Sequence, residues 1–179
     1  DGDLPPFQNK EKLYDIVFFG SCIEQGDRID WLTEINKTHP VKIFSWNAPD
    51  WSKKGFDAEG AVYGVAFMEK VAQSKIVLGF SVDPRTCGYW SNRVGKVLLA
   101  GGFLLYQYAP GMELFLRDGA EYFGSVQEAN EKIDYYLKEE IARDRIADRG
   151  LSIARERFTS KARVADLMIL VERYLKKGD

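Results

Sequence analysis

Histidine is nearly missing from this sequence. His39 is the only one in 179 residues, and it precedes Pro40 just ahead of an apolar run, the place of a turn residue rather than of a general base. Histidine-dependent triads and multi-histidine metal sites are thereby excluded. The two cysteines, Cys22 and Cys87, supply neither a disulfide framework nor zinc-ligand spacing. They are expected to be structural thiols in a reducing, cytoplasmic compartment. No apolar run approaches the ~20 residues that span a bilayer, and the charged beginning is no signal peptide. Charge is nearly balanced, at a formal net −2, which removes any bulk electrostatic case for nucleic acid. Neither a G-x-G-x-x-G fingerprint nor a Walker loop occurs, and no repeat is visible.

What is present suits one folded domain. Apolar residues make up 45% and aromatics 13%, enough for a single core. Residues 1–12, with Pro5-Pro6, read as a linker, and 13–179 as the domain. A linker-like start suggests that a further domain belongs upstream. Continuous apolar strands are expected at 14–20, 41–46, 75–80 and 103–108, with short ones at 61–64 and 120–123. Helices are expected at 28–36, 65–73, 91–100, 111–116 and 126–138, with Asp27 placed to cap the first. Residues 47–60 read as a loop. A helical tail fills 139–157 and 160–176, the last helix carrying Val164, Leu167, Met168, Val171 and Leu175 as a stripe.

Unbroken apolar strands that alternate with helices predict an α/β fold, a doubly wound, Rossmann-like parallel sheet with a helical C-terminal tail. In such folds ligands bind at the carboxyl ends of the strands. Three strand exits carry candidate groups. After the first strand, Gly20 allows a sharp turn and Ser21 offers a hydroxyl, with Arg28 opening the next helix. After 75–80 comes "SVDPRTCGYWSNR", where Ser91 or Asn92 can cap a helix. Arg93 then lies in the first turn, where a cation is disfavoured unless an anion such as a phosphate offsets it. Lys96 projects from the same side. The plainer expectation is that Arg93 and Lys96 pair with a carboxylate such as Asp83. Tyr89 and Trp90 either lid the core or stack on a ligand. After 103–108, Pro110-Gly111 opens a short helix whose first-turn amides, Gly111 to Glu113, can receive an anion, while Glu113 can accept from hydroxyls.

The stretch "SNRVGKVLLAGGFLLYQYAPGMELFLRDGAEYFGSVQEANEKIDYYL", together with the tail "IADRGLSIARERFTSKARVADLM", resembles the carboxyl-terminal half of GT-B glycosyltransferases of the group 1 type, nearest the spore-maturation CgeB-like branch. The resemblance spans about residues 14–175 and is specific from 75 onward. It implies a metal-independent donor-binding domain that takes a nucleoside-diphosphate sugar as substrate, with no separate cofactor. It implies also a partner amino-terminal Rossmann-like domain, not contained in this chain. Carried over by position, Arg93 would contact the donor diphosphate beside the Gly20-Ser21 turn; Arg93 and Lys96 are the expected catalytic cations, and Tyr89 and Asn92 are expected to bind the donor. Tyr63-Gly64 would border the base, and Pro110, Gly111, Met112 and Glu113 would lie near sugar and diphosphate. Relatives carry two glutamates eight positions apart here, the second binding ribose hydroxyls. This sequence has Gly88 and Lys96 instead, and a lysine cannot accept a hydrogen bond. The alternative is therefore a non-catalytic nucleotide-sugar or protein-binding module. A flavodoxin-like regulatory domain would need a phosphoacceptor aspartate at a strand end. The Gly20 and Gly79-Phe80-Ser81 exits supply none, and Asp83 comes late.

Overall fold

The computed structural model describes residues 10–23 and 27–175; most of the expected linker lies outside them. Six parallel strands form one sheet: β1 (Tyr14–Phe19), β2 (Lys42–Phe44), β3 (Asp57–Glu59), β4 (Ser74–Gly79), β5 (Leu104–Gln107) and β6 (Glu121–Phe123). Their spatial order is β3-β2-β1-β4-β5-β6. The chain thus winds outward one way from β1, returns, and winds the other way from β4, as the doubly wound reading requires.

Helices cover both faces: α1 (Arg28–Asn36), α2 (Ala48–Lys53), α3 (Gly64–Ala72), α4 (Arg93–Leu99), α5 (Met112–Leu116), α6 (Val126–Lys138), α7 (Glu140–Arg157) and α8 (Ser160–Leu175). Alternate side chains of β1 divide between two cores. Ile16 and Phe18 join Leu32 and Ile35 of α1 and Ile133 of α6. Val17 and Phe19 join Val71 of α3 and Val97 and Leu98 of α4. Burial on both faces is why the central strands read as unbroken apolar runs.

Three expectations are corrected. Residues 47–60 are not a loop, for they hold α2 and β3, and the short strand expected at 61–64 does not form. The edge strand β3 pairs with β2 through its backbone, while Lys42 bridges Asp57 and Glu59 at 2.7 Å each. Helix α2 reaches the core through Trp51 alone, which is fully buried. Asp27 occupies the cap position of α1 without a side-chain bond. Its carbonyl instead accepts from the Trp31 N–H at 2.9 Å. Helix α6 does carry a reciprocal cap: Ser125 Oγ accepts from the Glu128 N–H, and Glu128 Oε2 accepts from the Gly124 N–H at 2.7 Å.

The tail divides. Helix α7 packs on α4 and comes close enough to the 118–119 turn that a Cβ on Gly150 would stand 2.5 Å from the Gly119 carbonyl oxygen. Helix α8 buries none of its residues, and its apolar stripe stands exposed. Among the described residues no helix is long and apolar enough to cross a membrane.

Candidate functional site

The turn after β1 is held from three sides. One Nη of Arg28 donates to the carbonyls of Ser21 and Ile23, both at 3.0 Å. Asn47 Oδ1 accepts from the Cys22 N–H at 3.0 Å, and its amide nitrogen donates back to the Cys22 carbonyl. The Trp51 indole N–H donates to the Gly20 carbonyl at 3.0 Å. The Gly20-Ser21 turn is therefore fixed by side chains from α1, the β2–α2 connection and α2. Arg28 was legible only as a helix start; its side chain is buried and folds back across the Phe18 ring.

In front of this turn opens a cavity of about 400 Å³ at the carboxyl ends of β1 and β2. Gly20 and Ser21 form one wall, and Ser45 and Trp46 at the exit of β2 a second. Tyr63 and Gly64 at the start of α3 form a third, and Asn92, Arg93 and Lys96 of the α4 region a fourth. Phe19, Phe44, Phe67 and Met68 make an apolar floor. Gly64 has φ of +56°, a left-handed conformation that side-chain-bearing residues rarely adopt. It turns the chain into α3, whose first-turn amides have no side-chain cap and so remain open donors beside the cavity.

Arg93 is half-buried, yet neither its guanidinium nor the Lys96 ammonium finds a carboxylate among the described residues. The expected pairing with Asp83 does not occur. Asp83 is engaged by the Thr86 hydroxyl at 2.6 Å and the Arg85 and Thr86 amides. Burial pushes the Arg93 guanidinium below its usual value. Burial does the same to Arg28, and the neighbouring Arg93 charge adds to it. Two neighbouring cations thus share the region with no carboxylate partner among the described residues, and an anion in the cavity would offset that cost. Behind Arg93 lies Tyr106, whose buried hydroxyl closes no well-formed hydrogen bond, although Ser81 and the Ser91 backbone are its neighbours. Burial pushes the pKa of that hydroxyl up.

Of the residues chosen from the sequence, Gly20, Ser21, Tyr63, Gly64, Asn92, Arg93 and Lys96 meet in this cavity. Tyr89, Pro110, Gly111, Met112 and Glu113 do not line it. Met112 is fully buried in the core. Helix α5 is a single short turn, and the Gly88 N–H donates to the Pro110 carbonyl at 2.9 Å. This closes the 81–90 loop onto the Pro110 turn. Asn92 stands at the cap position of α4 without a side-chain bond; Ser91 Oγ accepts from the Arg93 N–H instead. Ser45 and Trp46 were missed, although they stand at a strand exit, where the strand-end rule points.

The model of a family described as glycosyl transferase-like matches residues 27–169. No curated protein matches the sequence. Among solved structures, HepE of Anabaena, in complex with UDP and glucose, aligns with a TM-score of 0.62 at 17% identity, over 91% of this chain and 48% of that one. Sucrose-phosphate synthase from Thermosynechococcus elongatus aligns with a TM-score of 0.66 at 10% identity, over 96% and 48%. An α1,3-fucosyltransferase with GDP aligns with a TM-score of 0.59 at 17% identity, over 80% and 39%. The chain spans about half, or less, of the length of these structures.

Proposed function

The chain belongs to the glycosyl transferase-like family, and on that premise we propose that it is the donor-binding half of a nucleotide-sugar glycosyltransferase, nearest the CgeB-like branch. The observation that carries this reading is the half-buried Arg93, without a carboxylate partner among the described residues, facing, with Lys96, a cavity at the carboxyl ends of β1 and β2. A diphosphate there would receive charge-assisted bonds from both cations and the Ser21 hydroxyl. In the reaction these groups would stabilise the departing nucleoside diphosphate, electrostatic work done by fixed protein charge. HepE and the fucosyltransferase were solved with UDP and GDP, ligands of this same chemistry. Transfer to an acceptor is assigned to a second, amino-terminal domain. Helix α8 supports such a partner: Leu167, Met168, Leu170 and Val171 are all exposed on it, an apolar face that a docked domain would cover.

Lys96 favours a second reading. No carboxylate lines the cavity among the described residues, so ribose hydroxyls lack a charged acceptor, and a binding module without turnover has the same site. Calorimetric titration with UDP and GDP tests binding, and micromolar or tighter affinity is expected for one of them. Silence toward both sinks the donor reading. Donor hydrolysis or transfer, measured with the amino-terminal domain supplied, separates enzyme from module.

A further inference from the structure

A second, much smaller cavity of about 20 Å³ lies between the sheet and α4. Apolar side chains make most of its wall, and the polar side chains that line it, among the described residues, are Ser91, Arg93 and Tyr106. Arg93 lines the larger cavity as well, so one side chain is shared by the two spaces. Tyr106 is 2% exposed, and its hydroxyl has no hydrogen-bond partner among the described residues. Both neighbouring serines are engaged elsewhere. The Ser81 hydroxyl donates to the carbonyls of Asp83 and Tyr89, at 3.0 and 3.1 Å, and Ser91 Oγ accepts from the Arg93 N–H at 3.3 Å. The Tyr106 ring lies over Gly79, where a Cβ would overlap it, so packing rather than hydrogen bonding sets where the hydroxyl stands. Buried hydroxyls are almost always partnered, and about 10–15 Å³ beside two to four polar groups is room for one water.

We propose that the small cavity holds one ordered water, which accepts from the Tyr106 O–H and from an Arg93 N–H with Ser91 as its third polar neighbour, and that Tyr106 acts through it as a positioning residue for Arg93. The inference rests on the donor-site reading above and deepens it. A guanidinium carries its N–H donors in one rigid plane. Those on the outer side meet a diphosphate in the larger cavity. One on the inner side, tied through water to a phenol wedged in the core, fixes where the outer ones point. A bridging water holds two groups nearly as well as a direct bond. Without the tie Arg93 keeps its charge and loses its orientation, and the cost of ordering it falls on the binding step.

The test is Tyr106→Phe, which keeps the ring over Gly79 and removes only the hydroxyl. Calorimetric titration with UDP and with GDP is made on the parent chain, Tyr106→Phe, Arg93→Ala and the double variant, with urea midpoints read beside it. Tyr106→Phe is expected to hold its urea midpoint near that of the parent and to lose about three- to ten-fold in affinity for the tighter-bound diphosphate, the range of one net hydrogen bond. In the Arg93→Ala background the same change is expected to alter affinity by less than about two-fold, because the group through which it acts is gone. A crystal structure of the parent chain is expected to show a water peak between Tyr106 and Arg93. Unchanged affinity in Tyr106→Phe overturns the positioning role. An equal loss in both backgrounds overturns it too and makes Tyr106 structural, and a dry cavity overturns the water. In each of these cases binding by the parent chain leaves the donor-site reading standing. Failure of the parent to bind either diphosphate overturns that reading and this inference together.

Discussion

Along one edge of the sheet, the turns that follow β1 and β2 and those that follow β4 and β5 treat their polar groups in opposite ways. On the first side the backbone is pinned from behind by Arg28, Asn47 and Trp51, and the front is left open. The cavity there is closed from across the rim by Arg93 and Lys96 of α4, which have no carboxylate partner among the described residues, and Trp46 and Tyr63 stand exposed beside it. On the second side the polar groups satisfy one another. Asp83 is enclosed by its own loop, Ser81 donates to the Asp83 and Tyr89 carbonyls, and Gly88 is bonded to Pro110. Trp90 packs edge-on against Phe115, with ring centroids 4.7 Å apart. Both sides offer glycines, short helices and strand ends. What separates them is unmet demand: a site is legible where rigid structure leaves charge and aromatic surface unsatisfied.

The largest effect expected from this contrast is on the closed side. Met112→Ala should destabilise the fold by ~2–5 kcal/mol, as for truncation of a fully buried side chain, while UDP affinity stays at the level of the parent protein. Urea denaturation followed by titration under native conditions reads both. A parallel fall in affinity would show that the packed turn supports the cavity and would break the comparison. On the open side the balance reverses. Arg93→Ala should weaken nucleoside diphosphate binding by ~1.5–3 kcal/mol, the range for a hydrogen bond to a charged group, with stability near that of the parent. Removing a half-buried cation that repels Arg28 also relieves a cost, which limits any loss of stability. Collapse of the fold with binding intact would make Arg93 structural.

Much of this was legible in the residues, for reasons that also explain what was not. Strands β1, β4 and β5 are buried on both faces and so announce themselves as apolar runs. The edge strand β3 has the sequence Asp57-Ala58-Glu59 and owes its place to backbone pairing and to Lys42, which no local pattern reveals. Helix α2 depends on one tryptophan, too little for periodicity. The Arg93 face of the cavity was found because a cation in a first helical turn is locally anomalous. The β2 wall is silent in sequence because the exit at Ser45-Trp46 carries no glycine, cation or carboxylate to mark it. At the Pro110–Glu113 turn, open amides and a carboxylate mark a candidate site in one dimension, and the structure places that turn outside the lining of the cavity. That Met112 points into the core and that Gly88 bonds to Pro110 are tertiary facts, invisible in spacing. The uncovered face of α8 reads in sequence as an ordinary core stripe, since periodicity says that a face is apolar and not whether anything covers it.

The smallest expected effect is the sharpest check on the division of the rim. Tyr89 and Glu113 belong to the closed side. The Tyr89 carbonyl accepts from the Ser81 hydroxyl, and the Glu113 carboxylate accepts from the Tyr108 hydroxyl at 3.5 Å. Both side chains are exposed, neither lines the cavity, and their replacement removes no core volume. Tyr89→Ala and Glu113→Gln should therefore each change UDP affinity and stability by no more than ~0.5 kcal/mol, the ordinary range for surface substitutions. Bare UDP is the right probe, because it asks only about base and diphosphate. A loss from Glu113→Gln comparable to that from Arg93→Ala would mean that the bound diphosphate extends over the Pro110 turn. The two sides of the rim would then act as one site.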